Sequence, residues 1–221
     1  MNKANVIVVA AGEGQRFGFT KQTAVLKGKT VLEWCLEAFE QSRSISRVIL
    51  VLRRDMRGDF FKTQFSKISD VVVGGEKRQD SVTAGFQKIE PGGAEIVLVH
   101  DGVRPLVGED LIIRVIEAAK KFGAAVPAIP IRDTIKRSDG RWILRTEDRS
   151  MLYRTQTPQG FQFEILEKAL RTAREQSLDG TDEASLVENM GIQVSLVPGD
   201  PENIKITTPL DLKIIEALLE N

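Results

Sequence analysis

VIVVAAGEGQRFGFTKQ, residues 6–22, sets an apolar, β-branched run directly before a glycine-rich turn that carries Arg16 and Lys21. A short run of this kind that ends in glycine reads as a buried strand, and the segment after it changes to helical period. Thr30, with Glu33 three residues on, opens that helix with a capping box, and Leu32, Leu36 and Phe39 form its apolar stripe. Working outward, similar runs recur at 47–52, 70–73, 95–100 and 124–131, separated by helical stretches such as the one bearing Leu111, Val115 and Ala119. Alternation of strand and helix builds an α/β fold, here Rossmann-like, with a mostly parallel sheet and helices on both faces.

The remaining sequence fits one domain over residues 1–221. An apolar fraction of 42% supplies a continuous core, and 31 basic residues balance 31 acidic ones, so no global field draws nucleic acid or an anionic membrane. Phosphate binding must therefore be local. A single cysteine, Cys35, excludes an internal disulfide and reads as a small core hydrophobe. No apolar run reaches the ~18 residues of a membrane span, and a cytoplasmic location is expected.

Residues 132–156 break the pattern. They are polar and turn-rich around Ser138, Asp139 and Gly140, which predicts a projecting β-hairpin arm. An arm with little core of its own needs a surface to pack on, and a homodimer is the expected solution. The chain then returns through a helix at 163–175, a short helix at 182–189, a strand at 192–197 and a last helix that Thr208, Pro209 and Asp211 begin.

Three segments at strand ends carry the chemistry. In the first, Gly12, Gly14 and Gly18 would let backbone N–H groups approach phosphates closely, although tight strand-to-helix turns need glycine too. The spacing is one residue off the dinucleotide fingerprint, and no acid follows the second strand where a ribose would need it. In the second, VVVGGEKRQDSVTAGF at 71–86, Gly74 and Gly75 precede Glu76, Lys77 and Arg78, while Asp80 or Ser81 could simply cap the next helix. The third, LVHDGVRP at 98–105, adds His100, Asp101 and Arg104 to the same rim. His100 reads as a structural hydrogen-bonding residue, and Asp101 is suited to hydroxyl recognition or a magnesium contact.

AAGEGQRFG with TKQ, then GGEKRQDSV, VHDGVRP, IRDTIKR, TPQGF, TDEAS and NIKIT, together resemble the 2-C-methyl-D-erythritol 4-phosphate cytidylyltransferases of isoprenoid-precursor synthesis. No one of these motifs is decisive, but the ordered set spans nearly the whole chain. The resemblance implies catalytic roles for Arg16 and Lys21 at the α-phosphate and for Lys205 against the sugar-alcohol phosphate. It assigns CTP to Ala10, Ala11, Gly12, Gly14, Gly75, Glu76, Arg78, Ser81 and Gly102. A sugar-alcohol phosphate would meet Asp101, Arg104, Thr157 and Thr181, with Thr134 and Arg149 reaching in from a partner's arm. Magnesium is implied as the cofactor, bound mainly through CTP phosphates, with no protein ligand set. Rival expectations are a ribitol 5-phosphate cytidylyltransferase, a non-catalytic nucleotide-binding regulatory module and, on the glycine loop alone, a nicotinamide-dependent oxidoreductase.

Overall fold

The computed structural model describes residues 3–12, 21–56 and 58–220, apart from the side chain of Lys21. Its first half runs β1 (Ala4–Ala10), β2 (Val25–Leu26), β3 (Lys29–Thr30), α1 (Val31–Gln41), β4 (Ile45–Leu52), α2 (Gly58–Gln64), β5 (Ile68–Val73), α3 (Arg78–Phe86), β6 (Ile96–Asp101), α4 (Glu109–Phe122) and β7 (Ala124–Pro130). The second half adds β8 (Lys136–Ser138), β9 (Ile143–Thr146), β10 (Tyr153–Thr155), β11 (Gln159–Gln162), α5 (Phe163–Glu175), α6 (Glu183–Glu188), β12 (Ser195–Pro198) and α7 (Pro209–Leu218).

β1 lies mid-sheet, paired in parallel with β4 on one side and β6 on the other. Because successive side chains of a strand point to opposite faces, its residues feed two cores. Val6 and Val8 pack with Leu36 and Phe39 of α1 and with Leu111 and Val115 of α4. Ile7 packs on the other face with Phe86 of α3 and Leu166 and Leu170 of α5. Burial on both faces explains why this strand reads as an unbroken apolar run. The predicted capping box also forms: Thr30 Oγ1 accepts from Glu33 N at 3.2 Å, and Glu33 accepts from Thr30 N at 2.7 Å.

From β1 the chain builds outward through β4 to β5, then crosses back to β6 on the other side. The crevice beyond the carboxyl ends of β1 and β6 is thus a topological switch point, where ligands of open α/β sheets gather.

Three features differ from the sequence expectation. β10 and β11 run successively and antiparallel along one edge of β7, while β12 pairs with its other edge, so an antiparallel strand is inserted between β6 and β7. β11 is only four residues long, too short for periodicity to register. The arm is also shorter than 132–156, because Tyr153–Thr155 rejoin the main sheet opposite Pro130 to Ala128. Finally, the late strand begins at Ser195 rather than 192, since Ile192 and Val194 pack against the α5 core.

The outer part of the arm is the β8–β9 ribbon. Its turn is closed by Asp139 Oδ1, which accepts from the N–H groups of Arg141 and Trp142 at 2.9 and 2.8 Å. All of β8 and β9 is exposed, and Trp142, Ile143, Leu144 and Met151 present 60–78% of their surface to solvent.

Candidate active site

The glycine segments after β1 and β5 converge because both strands are parallel and close in the sheet. Their contact is tight: a Cβ on Gly74 would lie 2.3 Å from Ala11 Cβ and 2.6 Å from Ser81 Oγ, so only glycine lets the two segments meet. Gly74 N–H donates to Leu52 O at 2.8 Å, and Gly102 N–H to Val9 O at 2.9 Å, which carries the sheet ladder to the rim of the crevice. Gln22 ties down the end of β1. It is 5% exposed, and its Nε2 donates to Ala10 O at 3.2 Å and to Gly12 O at 3.1 Å. The TKQ motif contains this residue, but nothing in the sequence assigns it a role.

A cleft of about 1110 Å³ opens here, lined by Gly12, Gly75, Arg78, Ser81, Asp101 and Lys205 among others. Its floor is a charge cluster on the end of β6. Asp101 Oδ1 accepts from Arg78 Nε at 3.1 Å, Oδ2 lies 2.7 Å from Lys205 Nζ, and Arg104 Nε stands 3.9 Å away. Burial raises the cost of the Asp101 charge, but Arg78 first and Lys205 next outweigh it and hold the carboxyl well below the usual range. Arg78 also donates through Nη1 to both carboxylate oxygens of Glu183 at 2.7 Å. Lys205 is set in place by its own segment: Gln156 Nε2 donates to Asp200 O at 2.7 Å, and Asn203 Nδ2 donates to Thr157 O at 2.7 Å.

His100 is fully buried, and its Nε2 stands 3.1 Å from Arg104 O. A carbonyl can only accept, so Nε2 carries the proton and Nδ1 accepts from Thr157 Oγ1 at 3.2 Å. Thr157 Oγ1 in turn accepts from Asp101 N–H at 3.1 Å. Burial lowers the His100 pKa to about 4. This imidazole is therefore neutral at physiological pH and fully engaged, which leaves it no role as a base. NMR titration of the single histidine should show its ring resonances flat from pH 8 to 5. Because an unfolded histidine protonates near ~6.5, native stability should fall as pH drops from there toward 4.

Of the residues singled out in the sequence, Ala11, Gly12, Gly75, Glu76, Arg78, Ser81, Asp101 and Lys205 come together on the cleft lining. Ala10 and Gly102 are buried just behind it, and Arg104 is buried with Nη1 donating to Asn203 O at 2.7 Å. Thr157 is not directed at a substrate; its hydroxyl is turned inward beneath Asp101. Thr181 is exposed beside α6, and Thr134 and Arg149 are exposed on the arm, outside the cleft lining. Gly14 and Arg16 lie outside the described residues, as does the Lys21 side chain. Ser81 does not cap α3: Asp80 does, by accepting from Lys77 N–H at 3.1 Å, while Ser81 Oγ donates to Lys77 O at 3.2 Å.

Among the described residues no group of three or more histidine, cysteine, aspartate or glutamate side chains could hold a metal ion. Of the carboxylates that line the cleft, Asp55, Glu76 and Asp101, the last is engaged by Arg78 and Lys205.

The cleft geometry can be set beside known proteins. Residues 4–221 match the family model described as 2-C-methyl-D-erythritol 4-phosphate cytidylyltransferase. The chain is 42% identical over 221 residues to the protein of that name from Bacillus licheniformis, covering 97% of this chain and 95% of the relative. Against the one from Geobacillus kaustophilus it is 40% identical over 219 residues, covering 96% and 95%. The crystal structure of 4-diphosphocytidyl-2C-methyl-D-erythritol synthase from Anaerococcus prevotii superposes with a TM-score of 0.86 at 30% identity, over 100% of this chain and 97% of that one. The Thermus thermophilus 2-C-methyl-D-erythritol 4-phosphate cytidylyltransferase gives 0.84 at 35%, over 99% and 100%. Likeness at this level spans nearly the whole chain, and the chain belongs to the 2-C-methyl-D-erythritol 4-phosphate cytidylyltransferase family.

Proposed function

We propose that this chain joins CTP to 2-C-methyl-D-erythritol 4-phosphate, giving 4-diphosphocytidyl-2-C-methyl-D-erythritol and pyrophosphate. Family membership sets the substrates, and the observation that carries the reading is the cleft itself. At the switch point, glycine segments line a cleft beside a buried ionised aspartate flanked by cations. The reaction needs no base from the protein. A phosphate monoester, with a second pKa of about 6, is largely dianionic at neutral pH. Its oxygen attacks the α-phosphorus, a new P–O bond forms, and the bond to the β-phosphate oxygen breaks as pyrophosphate leaves. What the protein must do is align two anions and spread the charge that develops between them.

Arg16 and Lys21 act on the α-phosphate and its developing charge, and Lys205 draws in the attacking phosphate. Ser81 and the backbone at Gly75 and Glu76 read cytosine, while Asp101 accepts from polyol hydroxyls. Magnesium enters with the triphosphate, where it would screen the phosphate oxygens. The test is pyrophosphate release from CTP with each polyol phosphate in turn. Turnover with methylerythritol phosphate is expected; turnover with ribitol 5-phosphate alone would reassign the substrate, and CTP binding without turnover would leave a regulatory module.

The active form is a homodimer in which each arm delivers Thr134 and Arg149 to the partner's cleft. Exposed Trp142, Ile143 and Leu144 support this, since apolar residues clustered on a thin ribbon mark an interaction surface. Sedimentation should show a dimer at micromolar concentration, and replacing residues 136–146 by a short glycine linker should abolish both dimer and turnover. The absence of any helix among the described residues long and apolar enough to cross a membrane fits a cytoplasmic enzyme.

A further inference from the structure

Glu183 is a carboxylate that the reaction described above does not use, yet it is only 1% exposed. Burying such a charge costs several kcal/mol unless a partner and hydrogen bonds compensate. Glu183 has both: its two oxygens accept from Arg78 Nη1, and its position at the start of α6 is held from two sides. Asp182 caps the helix by accepting from Ser185 N–H at 2.9 Å. Gln159, 1% exposed on β11, donates through Nε2 to Asp182 Oδ2 at 2.6 Å and accepts from Ala184 N–H at 3.2 Å. The residues on either side of Glu183 are thus pinned by one buried amide. This gives a physical reason for TPQGF and TDEAS to occur together, which neither the nucleotide nor the polyol supplies.

The consequence falls on Arg78. Held by Glu183 through Nη1, the guanidinium meets Asp101 through Nε, on Oδ1, and Oδ2 is left to Lys205. Without Glu183, a guanidinium fork would close bidentately on Asp101, the geometry this pair favours, and displace Lys205. We propose that Glu183 is a positioning residue: by holding Arg78 back, it keeps Asp101 and Lys205 arranged for the sugar-alcohol phosphate. This rests on the cleft being the site of that substrate.

Glu183→Gln, Arg78→Gln and the double variant test it, assayed by pyrophosphate release. Glu183→Gln should raise KM for methylerythritol phosphate about tenfold or more, a larger change than in the KM for CTP, with kcat within about threefold of wild type. In the Arg78→Gln background the same change should add nothing, because Glu183 acts only through Arg78. A purely structural role would move Tm and both substrates together. If Glu183→Gln fails to fold, Glu183→Asp, which keeps the charge but loses a methylene of reach, should show the same KM split. An unchanged KM in a folded variant, or independent effects of the two substitutions, would overturn the inference. An inactive wild type would instead overturn the functional reading beneath it.

Discussion

Asp101→Asn should lower kcat/KM by about 10²-fold and destabilise the protein by about 3 kcal/mol, the low end for breaking a buried ion pair. The side chain is 9% exposed and is surrounded by Arg78, Lys205 and Arg104, so removing its charge leaves cations facing one another in a poorly solvated site. The penalty stays at the low end because Arg78 keeps Glu183 and the 42% exposed Lys205 can turn to solvent. Urea denaturation of both proteins measures the stability loss. The pH dependence has a definite sign. Cations hold the folded Asp101 pKa below its unfolded value of ~3.9, so its contribution is complete above that value and is lost as pH falls further. The stability gap between wild type and Asp101→Asn should therefore be constant from pH 8 to 5 and shrink only in more acid solution.

Lys21→Ala should leave CTP binding within a few-fold of wild type and lower turnover by at least ~10²-fold, the scale for losing one preorganised electrostatic stabiliser. The reasoning is differential. In the proposed reaction several backbone groups and magnesium would share the ground-state charge of the triphosphate, whereas the extra charge at the α-phosphorus exists only in the transition state. A cation aimed there affects kcat more than KM. Isothermal titration with CTP and single-turnover pyrophosphate release separate the two, and unchanged turnover would remove Lys21 from the mechanism. The contrast with Asp101→Asn is diagnostic, because that substitution should also lower Tm.

Much of the fold is legible in the sequence because its central strands are buried on both faces. β1, β4 and β6 announce themselves as continuous apolar runs, and Thr30 with Glu33 and Thr208 with Asp211 mark helix starts by local chemistry that tertiary context does not override. β11 and the return of β10 are not legible, because antiparallel insertion depends on partners distant in the chain and each strand is four residues or fewer. The site divides in the same way. Glycine segments at strand ends can be found by spacing, and they do meet. Gln22, Gln159 and Glu183 cannot, since a glutamine or glutamate outside a charge pattern looks like surface until its burial is known. Thr157 shows the converse: motif resemblance alone assigns it to the substrate, whereas its hydroxyl lies under Asp101.

The rooting of the arm has a mechanical consequence. Both of its ends are clamped to each other where Tyr153 pairs with Pro130 and Ile131 N–H bonds to Leu152 O at 3.1 Å. From that clamp the chain passes through β10 to Thr157 and Gln159 with no slack loop between. A torque on the exposed ribbon therefore acts through a short lever on the two side chains that brace Asp101 and the start of α6. The exposed ribbon and the cleft geometry share one strand.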